Sequence, residues 1–333
     1  MEKKKTRNTG LDFMKLIAAY FVCIQHTVNS EGIFSYLLVL TRVAVPLFFM
    51  VTGYFIASSN PRKYIRKILF ITAEMMLIYF GVDLLKACIQ GNAIAYLKDI
   101  LLASNIVKFV VFNNMPFAGH GWYLWALIYA YPIAFMCVKT KKTILGNVLI
   151  VLGIGILLAF GKYSIVIFGT DIEPYYTMTW YAVGIPFLLI GNYIHAHEEY
   201  LANHRKLLLM LIFIVGVLNI FERYVLQNYG VNATRDTYFC TVLLSILMFL
   251  FFLGWKHKEK KEKIAYYGRT YSTDIYVYHI IVARFIKIVI SRVFGSTMFI
   301  RNIIIPILVV VVVTLLAVIK KQILQRMFIK KIE

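Results

Sequence analysis

The sequence predicts an all-α protein, a polytopic membrane bundle of about ten transmembrane helices with both termini in the cytoplasm. Three observations carry that expectation. Of 333 residues, 60% are hydrophobic and 16% aromatic, with a mean hydropathy of +0.73, which is too apolar for a soluble globule. Apolar runs long enough to cross ~30 Å of hydrocarbon recur near 11–28, 34–57, 68–89, 121–138, 144–160, 177–195, 207–226, 236–255, 270–293 and 302–319. The basic residues behind the net charge of +20 collect in alternate turns. In a soluble chain that charge would point to nucleic acid. Sorted by loop it is a topology signal, and no nucleic-acid partner is expected.

The first run follows a basic stretch from Glu2 to Arg7. It lacks a small-residue cleavage pattern and contains Lys15 and His26, so a retained span is expected rather than a signal peptide. At ~100° and ~1.5 Å per residue, Lys15 and His26 share a face and lie roughly 16 Å apart. Asp12, three residues before Lys15, joins the same stripe. Charges inside a span mark a polar interior or a functional site by default. The second span returns inward and carries Arg42 about 13 Å below its outer end. Pro46 and Gly53 behind it predict a bent or closely packed helix.

The next turn carries Arg62, Lys63, Arg66 and Lys67. Later turns carry Lys139 to Lys142, Arg205 with Lys206, and Lys256 to Lys263 with Arg269. Together with the N-terminal and C-terminal lysines and arginines they fall on one side, and the positive-inside rule makes that side cytoplasmic. Gly91 to Gly119 falls on the other side. Within it, Ile94 to Phe112 mixes Lys98, Asp99 and Lys108 with apolar residues, as an interfacial or re-entrant helix over a cavity mouth would.

Span four opens on His120-Gly-Trp122-Tyr123-Leu124-Trp125, which fits an interfacial aromatic belt and a site lining equally. In span nine, Ser272, Tyr276 and His279 share one face, with His279 near mid-membrane, where hydrogen-bonded packing and chemistry are even readings. Glu74, Asp83, Lys86, Arg284 and Lys287 are at membrane depth and are expected to pair with one another. Cys23, Cys88, Cys137 and Cys240 stand singly, without disulfide or zinc spacing, so no metal is expected. There is no repeat, low-complexity tract or long linker, which predicts a single domain over 1–333.

The sequence has no GxSxG, no P-loop and no GxGxxG after a strand. What remains is a histidine able to act as general base among cations and aromatics. His26 and Glu31 also reproduce a His-x4-acid spacing like that of soluble acyltransferases, across a helix end.

Taken together, these pieces resemble the acyltransferase-3 family of integral membrane O-acyltransferases, typically ten-helix bundles. The first-span motif is similar to Asp12, Lys15 and His26, with Lys where the family often has Arg. The second-span pattern is similar to Arg42, Phe48, Phe49, Thr52 and Gly53, and the basic pair of the next turn to Lys63 and Arg66. The His-x-Trp-Tyr-Leu signature matches His120, Trp122, Tyr123 and Leu124, and Ser-x-x-Ile-Tyr-x-x-His matches Ser272, Ile275, Tyr276 and His279. The stretch Arg42 to Met50 also resembles the membrane part of the vancomycin-resistance serine racemases, with no racemase domain expected in this chain.

The resemblance implies an acyl-CoA donor, acetyl-CoA first, and a hydroxyl acceptor on an envelope carbohydrate, in a multi-pass protein of the cell membrane. Expected catalytic residues are His26 as base with Arg42 and Tyr276 at the oxyanion. Lys15, Lys63 and Arg66 are expected to bind the donor, and Asp12, His120, Trp122, Tyr123, Ser272 and His279 to line the site. The rival expectation is a transporter or permease for a small polar solute such as serine.

Overall fold

The computed structural model describes residues 8–28, 32–201, 204–230, 237–255, 262–293 and 297–329. Glu31 and the basic runs at 3–7 and 256–261 lie outside them. Among the described residues the chain is helical throughout, without a strand. The helices are α1 (Thr9–Thr27), α2 (Gly32–Thr41), α3 (Ala44–Tyr54), α4 (Pro61–Ile89), α5 (Ala93–Ile100), α6 (Ala103–Phe112), α7 (Trp122–Lys139), α8 (Thr143–Ala159) and α9 (Ser164–Phe168). They continue with α10 (Ile185–Ala196), α11 (Glu198–Leu201), α12 (Arg205–Gln227), α13 (Phe239–Leu253), α14 (Glu262–Val293) and α15 (Ile305–Ile329).

Each apolar window of the sequence holds helix. Among the described residues, five segments are long and apolar enough to cross a bilayer: Gly32–Tyr54, Pro61–Ile89, Gly119–Lys139, Arg205–Gln227 and Ile300–Ile323. The protein is an all-α, multi-pass membrane protein. α1 misses that apolar standard because it carries Asp12 and Lys15. It belongs to the interior instead, packing on α14, α3, α15, α13 and α2. Its buried face is Leu11, Met14, Ala18, Val22 and Cys23.

Glycine lets the key helices meet backbone to backbone, the packing mode that works where lipid removes the hydrophobic drive between helices. A Cβ on Gly268 of α14 would stand 2.0 Å from the Asp12 carbonyl oxygen of α1. On the other side, a Cβ on Gly53 would stand 1.9 Å from the Leu188 carbonyl oxygen, and one on Gly191 2.2 Å from that of Met50. This reciprocal pair fixes α3 on α10.

The second span is interrupted rather than merely bent. Thr41 ends α2, and Ala44 starts α3. Pro46 explains the position, since its ring has no N–H and would meet the carbonyl four residues back, that of Arg42. Gln25 steadies the break by donating from Nε2 to the Thr41 carbonyl at 2.6 Å.

The outer segment also differs from expectation. Instead of one helix over Ile94 to Phe112 it forms two, α5 and α6, neither with a buried residue. Ile94, Leu101 and Val110 are exposed apolar residues along it, as suits a pair lying in a membrane interface. The pair ends at Asn113, fully buried and left-handed with φ of 51°. Its side-chain amide donates to the Trp122 and Met178 carbonyls at 3.3 and 3.1 Å and accepts from the Trp180 N–H at 2.9 Å. One side chain thus ties the outer segment to the starts of two spans, the second opening as a π-helical turn over Trp180–Gly184.

Candidate active site

Two cavities lie along α1, one at each end. The larger, about 590 Å³, is lined by His26, Gln25, Arg42, His120, Trp122 and Tyr276, with Asn114, Glu173 and Tyr175 toward its loops. The smaller, about 210 Å³, is lined by Lys15, Lys67, Arg269, Ser272, Thr273 and Tyr123, again with Tyr276. Successive residues of α7 therefore face different cavities, Trp122 the larger and Tyr123 the smaller. Between the two stands an aromatic partition. The rings of Tyr123 and Tyr276 are 5.2 Å apart, and Phe49 meets Tyr123 at 4.7 Å. The Tyr276 hydroxyl donates to the main-chain carbonyl of His120, so it braces the partition.

At the wall of the larger cavity, which His26 and His120 line, three histidines converge from three elements, with His279 buried behind the other two. His26 on α1 lies 5.1 Å from His279 on α14, ring centre to ring centre, and 6.4 Å from His120 at the head of α7. His120 and His279 are 5.4 Å apart. His26 is exposed to the cavity, whereas His120 is 7% and His279 0% exposed. The Nδ1 of His279 lies 2.7 Å from the Tyr276 carbonyl and 3.2 Å from that of Ile275. Carbonyls only accept, so this nitrogen bears the proton and Nε2 keeps a lone pair. Tyr79 rests on the His120 ring at 4.6 Å and donates to the Val277 carbonyl at 2.9 Å. The Arg42 guanidinium reaches Gln25 Oε1 at 3.3 Å, and Lys287 Nζ reaches the His26 carbonyl at 3.4 Å.

In the smaller cavity Lys15 pairs with Asp12 at 2.8 Å, and Asp12 itself is buried. Lys67 and Arg269 add two further cations and Ser272, Thr273 and Thr52 three hydroxyls, an anion-receptive lining. Lys63 and Arg66 are not part of it. All three, Lys63, Arg66 and Lys67, are exposed at the start of α4, but only Lys67, one turn beyond Lys63, lines the cavity. Sequence reading had treated Lys67 and Arg269 as topology signals only. Of the other charges at membrane depth, Asp83 pairs with Arg284 at 3.0 Å as expected, whereas Glu74 pairs with Lys320 and Tyr278, outside the expected set. Among the described residues no cluster has metal-ligand geometry.

This arrangement places an accessible imidazole in one chamber and a cationic, hydroxyl-rich pocket in the other. Over residues 8–320 the chain matches the acyltransferase domain of the acyltransferase-3 family. It is 27% identical over 293 residues, 78% of this chain, to an amino-acid racemase of Enterococcus faecalis, and 26% identical over 275 residues, 75% of this chain, to a serine/alanine racemase of Enterococcus gallinarum. The matched region spans 39% and 38% of those relatives' own lengths. No solved structure matches the chain significantly. With nearly its whole length inside the family's domain, the chain belongs to the acyltransferase-3 family of membrane acyltransferases.

Proposed function

We propose that the protein moves an acyl group, acetyl in the first instance, from a cytoplasmic acyl-CoA to a hydroxyl of an envelope carbohydrate at the cell membrane. The observation that carries this reading is the pair of cavities meeting at Tyr276, one cationic and one lined by His26 and His120. Lys15, Lys67 and Arg269 would receive donor phosphate, with Lys63 and Arg66 at the approach. Lys15 and His26 are separated by roughly 16 Å along α1. A long thioester arm, not a compact substrate, bridges that gap. His26 takes the proton of the acceptor hydroxyl as its oxygen attacks the thioester carbonyl. Arg42 then faces the developing oxyanion. The C–S bond breaks, and the thiolate recovers the proton as free thiol.

The aromatic partition and the broken second span also support a second reading, a permease for a small polar solute, since interrupted helices line such pathways. Mass spectrometry of wall glycans and polysaccharides from cells with and without the gene separates the two. Loss of an O-acyl ester upholds acyl transfer; intact esters with impaired serine uptake favour transport. Orientation is tested by single cysteines: one near Asn114 should react with an impermeant reagent from outside and one near Lys141 should not.

A further inference from the structure

We propose that His279, backed by His120, is the hydrogen-bond acceptor that orients His26 and stabilises the imidazolium it becomes. The inference rests on reading His26 as the base. A base histidine commonly has a carboxylate behind it to fix the tautomer and hold the charge. Glu31, the acid that the spacing offered, lies outside the described residues, and the rings that His26 meets are the imidazoles of His120 and His279. Among the described residues the charges acting on His26 are cationic, Arg42 and Lys287 at its carbonyl, and the carboxylate that lines the chamber, Glu173, stands toward the loops.

His279 is shaped for the acceptor's part. Its Nδ1–H is spent on the Tyr276 carbonyl, so its Nε2 must accept. That Nε2 is fully buried and has no partner, and the same holds for Nε2 of His120. Buried acceptors without donors are uncommon in folded proteins and need a reason. Here the reason is adjacent: the His26 ring, 5.1 Å away, is the exposed member of the trio. A small turn of that ring points one N–H at His279 and leaves the other nitrogen facing the cavity. The proton taken from the acceptor hydroxyl then sits on a ring whose other N–H is already held. When the proton passes to the departing thiolate, the ring returns to its starting tautomer. His279 is thus a positioning residue, and substrate need not touch it.

The experiment compares His279→Gln, which keeps an acceptor, with His279→Leu, which does not, in wild-type and His26→Ala backgrounds. Expected is a kcat for His279→Gln within about tenfold of wild type. For His279→Leu we expect a loss of ~10²-fold, on the scale of general-base catalysis, with both KM values unchanged. Neither change should lower activity further once His26 is alanine. Carbethoxylation of His26 by diethyl pyrocarbonate, mapped by peptide mass spectrometry, gives a second readout. It should slow severalfold in His279→Leu and stay near wild type in His279→Gln.

Equal losses in Gln and Leu, or a loss that persists in His26→Ala, would overturn the proposal in favour of packing. Activity abolished by chelator and restored by Zn²⁺ would overturn it in favour of a metal on the three imidazoles. If the purified protein transfers no acyl group at all, the functional reading fails. The modification rates still decide whether His26 and His279 are coupled.

Discussion

The two cavities share a wall and four helices, α1, α3, α7 and α14, yet handle charge in opposite ways. At the Lys15 end a cation is matched at once by a buried acid, Asp12, and the remaining cations stand with hydroxyls around a small space. At the His26 end three ionisable rings stand together, with two nitrogens left unpartnered. On the proposed reading the first arrangement holds an anion that stays put and the second serves a proton that moves, so that α1 alone would carry two duties, one electrostatic and one transferring.

The sharpest way to break that contrast is His26→Ala. Because His26 is exposed, the fold should survive while turnover drops ~10²–10⁴-fold, read as ester formation by protein of unchanged gel-filtration profile. His26→Gln should be nearly as inactive, and retained activity would make the residue structural. Next comes Lys15→Ala, which removes the ammonium 2.8 Å from the buried Asp12 carboxylate and should lower stability by about 1.5–3 kcal/mol, seen as loss of thermal midpoint in detergent. Lys15→Met with Asp12→Asn should recover that stability but not donor affinity. Full recovery of donor binding would leave Lys15 a merely neutralising group.

Lys67→Ala and Arg269→Ala should raise donor KM on the order of tenfold, the worth of one charge-assisted contact at ~1.4 kcal/mol, with stability unchanged. Lys63→Ala and Arg66→Ala, from outside the cavity, should do less. Equal effects at all four positions would mean that the charge of the face, not the cavity, attracts the donor. Gly191→Ala should act on stability alone, by about 1–3 kcal/mol from overpacking on Met50, in a thermal melt.

Much of this was legible before any coordinates, for particular reasons. Apolar length is enough to find the helices, because lipid forbids alternatives to a helix or closed barrel. His26, His120 and His279 each stood out as polar groups in apolar runs. Their convergence did not, since 94 and 159 positions separate them along the chain and no local pattern encodes such closure. Pro46 signalled a disturbance, but only the missing bond to the Arg42 carbonyl decides that the helix stops. Lys67 and Arg269 were hidden because topology and ligand binding use the same residue types. Asn113 offered a faint signal, an asparagine after an apolar helix where a left-handed cap is common. Its three partners at Trp122, Met178 and Trp180 are invisible to local reading.

The interruption at Arg42 divides one span between two neighbours. α3 is clamped to α10 through Gly53 and Gly191, whereas α2 packs on α12. Arg42 and its Gln25 brace therefore occupy a seam between two blocks, and displacement of α12 is transmitted to α2 without reaching Phe48 or Thr52. On the acyl-transfer reading, opening at this seam would widen the larger chamber for a bulky acceptor while the smaller keeps its dimensions. In kinetic language, acceptor exchange and donor occupancy become separable steps, and a disulfide stapling α2 to α3 across that seam would slow the first and spare the second.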